Sequence, residues 1–135
     1  MKKIGYIKNF MDELSPKDEI LKKMKSEGVQ RIIMDLDETA NPLELLLNNI
    51  ETMEGKDILV VENLDELGES LKDIIEIIEK LDEKDIGILI LDEAVEELSS
   101  ASKKDWFMQT MLRKQLLLTL KWVYKKEIND IRKRE

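Results

Sequence analysis

The sequence predicts an α/β fold in which helices flank a mainly parallel sheet of four or five strands. Short apolar segments alternate along residues 1–100 with segments whose apolar residues recur at helical spacing, an order typical of parallel sheets. From residue 103 to residue 134 there is no glycine or proline, which predicts one long helix. We expect one domain, with the α/β core over residues 1–100 and the long C-terminal helix over residues 101–135.

Four short segments supply the predicted strands. They are residues 3–8, 30–35, 57–61 and 86–91. Most of their side chains are isoleucine, leucine or valine, which favour strands that are buried on both faces. A third apolar helix, which begins at residue 65 or 71 and ends near residue 80, separates the last two strands. We expect the connections between the parallel strands to be right-handed.

Capping residues indicate where the first two helices begin and end. Ser15 followed by Pro16 is typical of a helix start, because serine caps the first turn and proline fits the first helical position. Gly28 marks the end of that helix. Asn41 followed by Pro42 predicts the start of the next helix in the same way.

Composition excludes several kinds of chemistry. The chain has no cysteine and no histidine, which removes thiolate nucleophiles, disulfides and the commonest general base and transition-metal ligand.

The net charge of -8 opposes binding to nucleic acid, although residues 121–135 carry six basic against three acidic side chains. Because no apolar segment is long enough for a membrane span or a signal peptide, we expect a cytoplasmic protein.

Three parts of the chain carry motifs in an order known from one protein family. They are residues 4–8 (IGYIK), residues 55–61 with 64–71 (GKDILVV and LDELGESL), and residues 118–123 (LTLKWV). They resemble the catalytic domain of serine site-specific DNA recombinases, the resolvases and invertases. The resemblance implies a resolvase-like fold, a long helix that dimerises, a serine that attacks a DNA phosphodiester, and arginines that hold the phosphate.

The positions that carry this chemistry in the family are substituted here. Phe10 stands in place of the serine, and a phenyl ring has no nucleophilic atom. Lys8 and Asn41 stand where arginines are expected; lysine keeps the charge but lacks the planar fork of arginine. Glu66 and Glu69 replace the two arginines of the middle motif, which reverses the charge where a phosphate would need positive partners.

Other positions of the middle motif match the family. Asp65, Gly68 and Ser70 are retained. Positions that serve the fold therefore persist, while those that serve the chemistry are replaced. We expect a protein that is not an enzyme and acts as a structural or regulatory module, without a cofactor, a bound metal or a small-molecule substrate. We also expect that this domain alone binds DNA weakly or not at all.

The predicted long helix carries more apolar residues than one face can bury. We expect the excess to lie against a second protomer, giving a homodimer or a higher homo-oligomer, as the resemblance also implies. The expected interface residues are Met108, Met111, Leu112, Leu116, Leu120, Trp122 and Val123.

One alternative is a magnesium-dependent phosphatase. Residues 35–39 (DLDET) resemble the DxDxT nucleophile loop of haloacid-dehalogenase-type phosphatases, in which Asp35 would attack phosphorus and Asp37 would act as acid and base beside Mg²⁺. In that family the motif follows the first core strand. Here it follows the second predicted strand, because the strand at residues 3–8 comes earlier in the chain.

A second alternative is an interaction module of the response-regulator type. Asp35, Asp37 and Asp92 would then form an acidic pocket for Mg²⁺ at the ends of strands. Asp57 lies at the start of a strand rather than at its end, which disfavours this alternative.

Overall fold

The computed structural model describes residues 2–8, 17–34, 41–91 and 106–134, with the backbone alone for 106–110, 112, 133 and 134. Its elements are β1 (Lys3–Ile7), α1 (Asp18–Ser26), β2 (Arg31–Met34), α2 (Pro42–Glu51), β3 (Ile58–Val61), a 3-10 turn (Leu64–Leu67), α3 (Leu71–Glu83), β4 (Gly87–Ile90) and α4 (Trp106–Arg134).

The four strands of the described residues form one sheet in the order β2-β1-β3-β4. Every neighbouring pair is parallel; in β1, for example, Ile4 is paired with Arg31 of β2 and with Leu59 of β3. The predicted α/β fold with a parallel sheet and a long C-terminal helix is therefore confirmed, and the predicted strands match β1 to β4 to within one residue at each end.

The capping residues of α1 and α2 act largely as their sequence predicts. The Asn41 side-chain oxygen accepts a hydrogen bond from the Glu44 backbone N–H at 3.1 Å, and Pro42 is the first residue of α2. Gly28 follows α1 with a φ of +83°, a conformation that glycine adopts without steric cost. The predicted start at Ser15 and Pro16 lies outside the described residues.

The third helix begins at the later of its two expected positions. Ser70 caps α3, because its side-chain oxygen accepts a hydrogen bond from the Asp73 backbone N–H at 3.2 Å. The preceding residues, Leu64–Leu67, form a separate 3-10 turn. Gly68 lies between the two in an extended conformation.

The two faces of the sheet have separate cores. One face carries Ile7 and Val60, which pack with Ile20 and Met24 of α1. The other face is covered by α2, α3 and α4, and it contains the larger cluster. That cluster includes Ile4, Tyr6, Leu46, Ile50, Leu59, Val61, Ile77, Ile78 and Leu81, with Leu116, Leu117 and Leu120 of α4 packed against it.

A buried arginine anchors α4 to this core. Arg113 is 1% exposed and donates hydrogen bonds from Nη1 to the Ile86 carbonyl oxygen at 2.7 Å and from Nη2 to Asp85 Oδ1 at 3.1 Å. Its Nε donates to Asp82 Oδ1 at 2.9 Å. Nearer its C-terminus, α4 adds an ion pair between Lys121 and Glu79.

Among the described helices, none is both long enough and apolar enough to span a membrane.

Candidate functional site

The topology of the sheet creates a crevice beside β1. This strand lies between β2 and β3, so the chain passes to one side of β1 and then returns to the other. In parallel α/β sheets, ligands bind outside the carboxyl ends of the strands at such a switch point. A cavity of about 220 Å³ lies at this position, between the end of β1, the start of α2 and the 3-10 turn.

Four of the substituted family positions meet at this cavity. Lys8, Asn41, Glu66 and Glu69 all line it, although they are far apart in the sequence. The remaining lining residues are Tyr6, Pro42, Leu43, Leu67, Gly68 and Asp73.

Two of the retained motif positions, Asp65 and Ser70, are not among the described lining residues. Asp65 belongs to the 3-10 turn and is exposed. Phe10 lies outside the described residues. Sequence reasoning did not single out Tyr6 or Asp73 as site residues, although Asp73 could have been found from its place in the first turn after the Ser70 cap.

Close packing fixes the segment that carries the two glutamates. A Cβ atom at Gly68 would lie 2.6 Å from the Asp73 Cβ and 3.0 Å from the Ile74 backbone nitrogen. Only glycine lets this segment lie so near the first turn of α3. Glu66 and Glu69, on either side of this contact, are thereby held against the cavity.

Glu66 is the most perturbed acid of the site. Its Oε2 atom is buried and has no hydrogen-bond partner. Burial raises the pKa of Glu66 to about 7, with a further increase from the charges of Glu62 and Asp65 and an opposing effect of Lys17. The carboxyl group therefore changes between its neutral and ionised forms close to neutral pH.

The charges around the cavity are mainly negative. Glu66, Glu69 and Asp73 contribute carboxyl groups, and Lys8 is the one cationic side chain among the described lining residues. A phosphodiester needs positive charge at its oxygens. This lining offers a single ammonium group and no guanidinium fork.

The residues of the two magnesium-dependent alternatives cannot be compared with this cavity. Asp35, Asp37 and Asp92 lie outside the described residues. Over the part of the chain that the structure describes, no group of three or more acidic side chains is placed to hold a metal ion. The phosphatase and the response-regulator functions stay predictions from sequence.

The comparisons with known proteins agree with the fold. The family model described as the resolvase N-terminal domain matches residues 16–115. A search of curated proteins finds no match to this chain. The family match includes Asn41, Glu66 and Glu69, whereas Lys8 and Phe10 precede its first residue. The chain has the parallel sheet and long C-terminal helix expected of this domain, and it belongs to the resolvase family.

Proposed function

We propose that this resolvase-family domain is a non-catalytic module that associates through α4. One observation carries the proposal: the cavity at the carboxyl end of β1 is lined by three carboxyl groups and one ammonium group. Catalysis of phosphoryl transfer relies on positive groups that stabilise the charge on the transferred phosphate. Here the two glutamates stand where the resemblance places arginines.

Neither protonation state of Glu66 can replace an arginine. When it is ionised, its carboxylate repels a phosphate in a partly buried site, where charges are screened less than in water. When it is neutral, it supplies no positive charge. Lys8 alone remains, and its ammonium cannot form the bidentate contact of a guanidinium. The substitution of Phe10 for the expected serine removes the nucleophile as well.

The two sides of α4 support the proposed association. Leu116, Leu117 and Leu120 pack against the core of their own domain. On the opposite side, the side chains of Met111, Leu118 and Trp122 are exposed, and we call these three residues the outer stripe. They follow one another at intervals of seven and four residues, which places them on one face of a helix.

The outer stripe refines the interface expected from the sequence. Of the expected residues, Met111 and Trp122 are 52% and 63% exposed, and Leu118, which the sequence did not select, is 65% exposed. Val123 is half-buried, and the side chains of Met108 and Leu112 are outside the described set. Packing of the outer stripes of two copies about a two-fold axis is the simplest closed arrangement.

The test of the catalytic part of the proposal is direct. The purified chain is incubated with supercoiled plasmid, and the products are separated under denaturing conditions. We expect no nicked DNA and no covalent protein–DNA adduct. A reproducible adduct that is absent from a heat-inactivated sample would contradict the proposal.

A further inference from the structure

The outer stripe of α4 is edged with lysines. On a helix, residues three or four positions apart are neighbours on the surface. A lysine stands three positions after each of the three stripe residues, and these lysines are Lys114, Lys121 and Lys125. Lys114 and Lys125 are exposed, and no ion pair within the described residues involves either of them. The stripe therefore presents apolar surface beside a row of positive charges.

A fourth lysine lies over the stripe itself. The Nζ atom of Lys126 is 5.2 Å from the centre of the Trp122 ring, where the electrons of the ring face attract a cation. Both side chains are exposed. A second copy that packs on this ring has to cover or displace the ammonium group, which costs free energy unless an anion neutralises it.

No acidic residue of α4 offsets these lysines. Residues 106–126 contain no aspartate or glutamate, although the whole chain has 30 acidic against 22 basic residues, and the first acid of the helix is Glu127. From its own domain, Lys121 receives an ion pair with Glu79 at 2.9 Å, and both side chains are nearly half exposed. When the outer stripes of two copies pack, in either direction, the lysines of one helix meet a segment without carboxylates. Like charges placed in this way oppose the contact.

We propose that a multivalent phosphate anion controls the association through α4. The apolar stripe favours contact between two copies, and the lysines oppose it until an anion with several charges lies between the two helices. Phosphate oxygens accept charge-assisted hydrogen bonds from ammonium groups. An anion that contacts lysines of both copies binds the dimer more tightly than the monomer, so it shifts the equilibrium toward the dimer by mass action.

A small anion suits this surface better than duplex DNA does. The chain as a whole has a net charge of -8, which repels a long polyanion, whereas a short chain of phosphate groups can contact the lysines of α4 alone. The inference rests on the proposed association through α4 and names its regulation. Its test therefore separates the failure of the regulation from the failure of the association.

The test measures the dissociation constant of the dimer of the full chain by sedimentation. The first solution holds about 10 mM NaCl, where the Debye length is about 30 Å and the lysines repel one another over the whole contact. The second adds millimolar tripolyphosphate, and the third replaces tripolyphosphate with NaCl at the same ionic strength. We expect tripolyphosphate to lower the dissociation constant at least about tenfold relative to the matched NaCl solution, because one anion binds several ammonium groups.

A double variant assigns the effect to the stripe. Lys125→Gln together with Lys126→Gln removes the two charges nearest Trp122 and keeps the length of both side chains. We expect this variant to dimerise more tightly than the wild type in low salt and to lose most of its response to tripolyphosphate. The matched control is Lys22→Gln together with Lys25→Gln, two exposed lysines of α1 on the other face of the sheet, which should respond like the wild type.

Four results would overturn the proposal. A wild-type dimer with the same dissociation constant in tripolyphosphate and in the matched NaCl solution keeps the association and refutes its control by anions. An undiminished response of the double variant places the anion elsewhere on the domain. A short DNA duplex that tightens the dimer more than tripolyphosphate does identifies nucleic acid as the ligand instead. A wild type and a double variant that are both monomeric in every solution refute the association itself, and this inference with it.

Discussion

Arg113 of α4 donates a hydrogen bond from its Nε to Asp82 Oδ1 at 2.9 Å, near the end of α3. The guanidinium is buried, whereas the Asp82 side chain is 28% exposed. The pair thus lies at the edge of the core, where it connects the long helix to the α/β body. Since Ile86 and Asp85 also accept hydrogen bonds from Arg113, this one side chain fixes the turn between α3 and β4 against α4.

We expect Arg113→Met to lower the free energy of unfolding by about 2–4 kcal/mol. The substitution leaves the buried Ile86 carbonyl oxygen without its donor and Asp82 without its partner, and removing one member of a buried pair costs several kcal/mol. Urea unfolding measures the change. The matched control is Lys121→Met, whose ion pair with Glu79 is exposed and should cost less than about 1 kcal/mol. Equal losses in the two variants would show that Arg113 is not an anchor.

The buried carboxyl of Glu66 makes stability depend on pH. Its pKa in the folded protein is about 7, above the ordinary 4.5, so folding favours the protonated form. This contribution is fully present below about pH 4.5 and is lost as pH rises through 7. Relative to Glu66→Gln, the wild type should lose about 1–2 kcal/mol of stability between pH 5 and pH 8, a value reduced for partial exposure.

Denaturant unfolding of both proteins across this pH range measures that difference. The matched control is Glu51→Gln, because the hydrogen bond and charge of Lys80 lower the pKa of Glu51. A lowered pKa has the opposite sign, so the wild type should not lose stability relative to this control as pH rises. A stability difference between wild type and Glu66→Gln that is constant with pH would refute the prediction.

The packing at Gly68 predicts a cost for any larger residue. Gly68→Ala should lower stability by about 1–3 kcal/mol, because the new methyl group overlaps the Asp73 Cβ and the backbone of α3. At Gly55 the nearest atom to a new Cβ is the Lys84 carbonyl oxygen at 3.4 Å, an ordinary contact. Gly55→Ala is therefore the control, and thermal unfolding should show little change there. A Gly68→Ala protein as stable as the control would contradict this packing.

The outer stripe of α4 is expected to hold two copies together. Leu118→Glu or Trp122→Glu should raise the dissociation constant of the dimer at least tenfold, because burying one such side chain is worth roughly 1.5–3 kcal/mol. Sedimentation or light scattering at micromolar concentration measures the mass.

The control for the outer stripe is Thr119→Glu, which places the same charge about 100° round the helix. It should leave the mass unchanged. Leu116→Glu should instead destabilise the fold, because Leu116 packs on its own core. A wild type that is monomeric at all concentrations would rule out this interface.

We expect weak binding of this chain to duplex DNA. The net charge of -8 opposes approach, although residues 121–135 near the end of α4 carry an excess of basic over acidic side chains. Fluorescence anisotropy with a labelled duplex at about 150 mM salt should give a dissociation constant no tighter than the non-specific range of roughly 10⁻⁴–10⁻⁶ M. A sub-micromolar constant that persists in Lys125→Glu would indicate a DNA surface elsewhere on the domain.

The sequence by itself determined the α/β class, the four strands and the start of α2. These features depend on neighbouring residues: apolar periodicity defines a strand or helix, and Asn41 caps the helix that Pro42 opens. The resemblance also identified four residues of the cavity, Lys8, Asn41, Glu66 and Glu69. They stand at positions where the recombinase motifs have arginines.

Only the tertiary structure decided which side chains lie together. Arg113 looks like an ordinary surface residue of a charged helix, yet it is buried because Asp82 and the Ile86 carbonyl oxygen, some thirty residues earlier, converge on it. Likewise, periodicity shows that α4 is apolar on more than one side, but packing against α3 determines that Leu120 faces the core and Trp122 faces solvent. Contacts between residues distant in sequence leave no local pattern, so the fold alone specifies them.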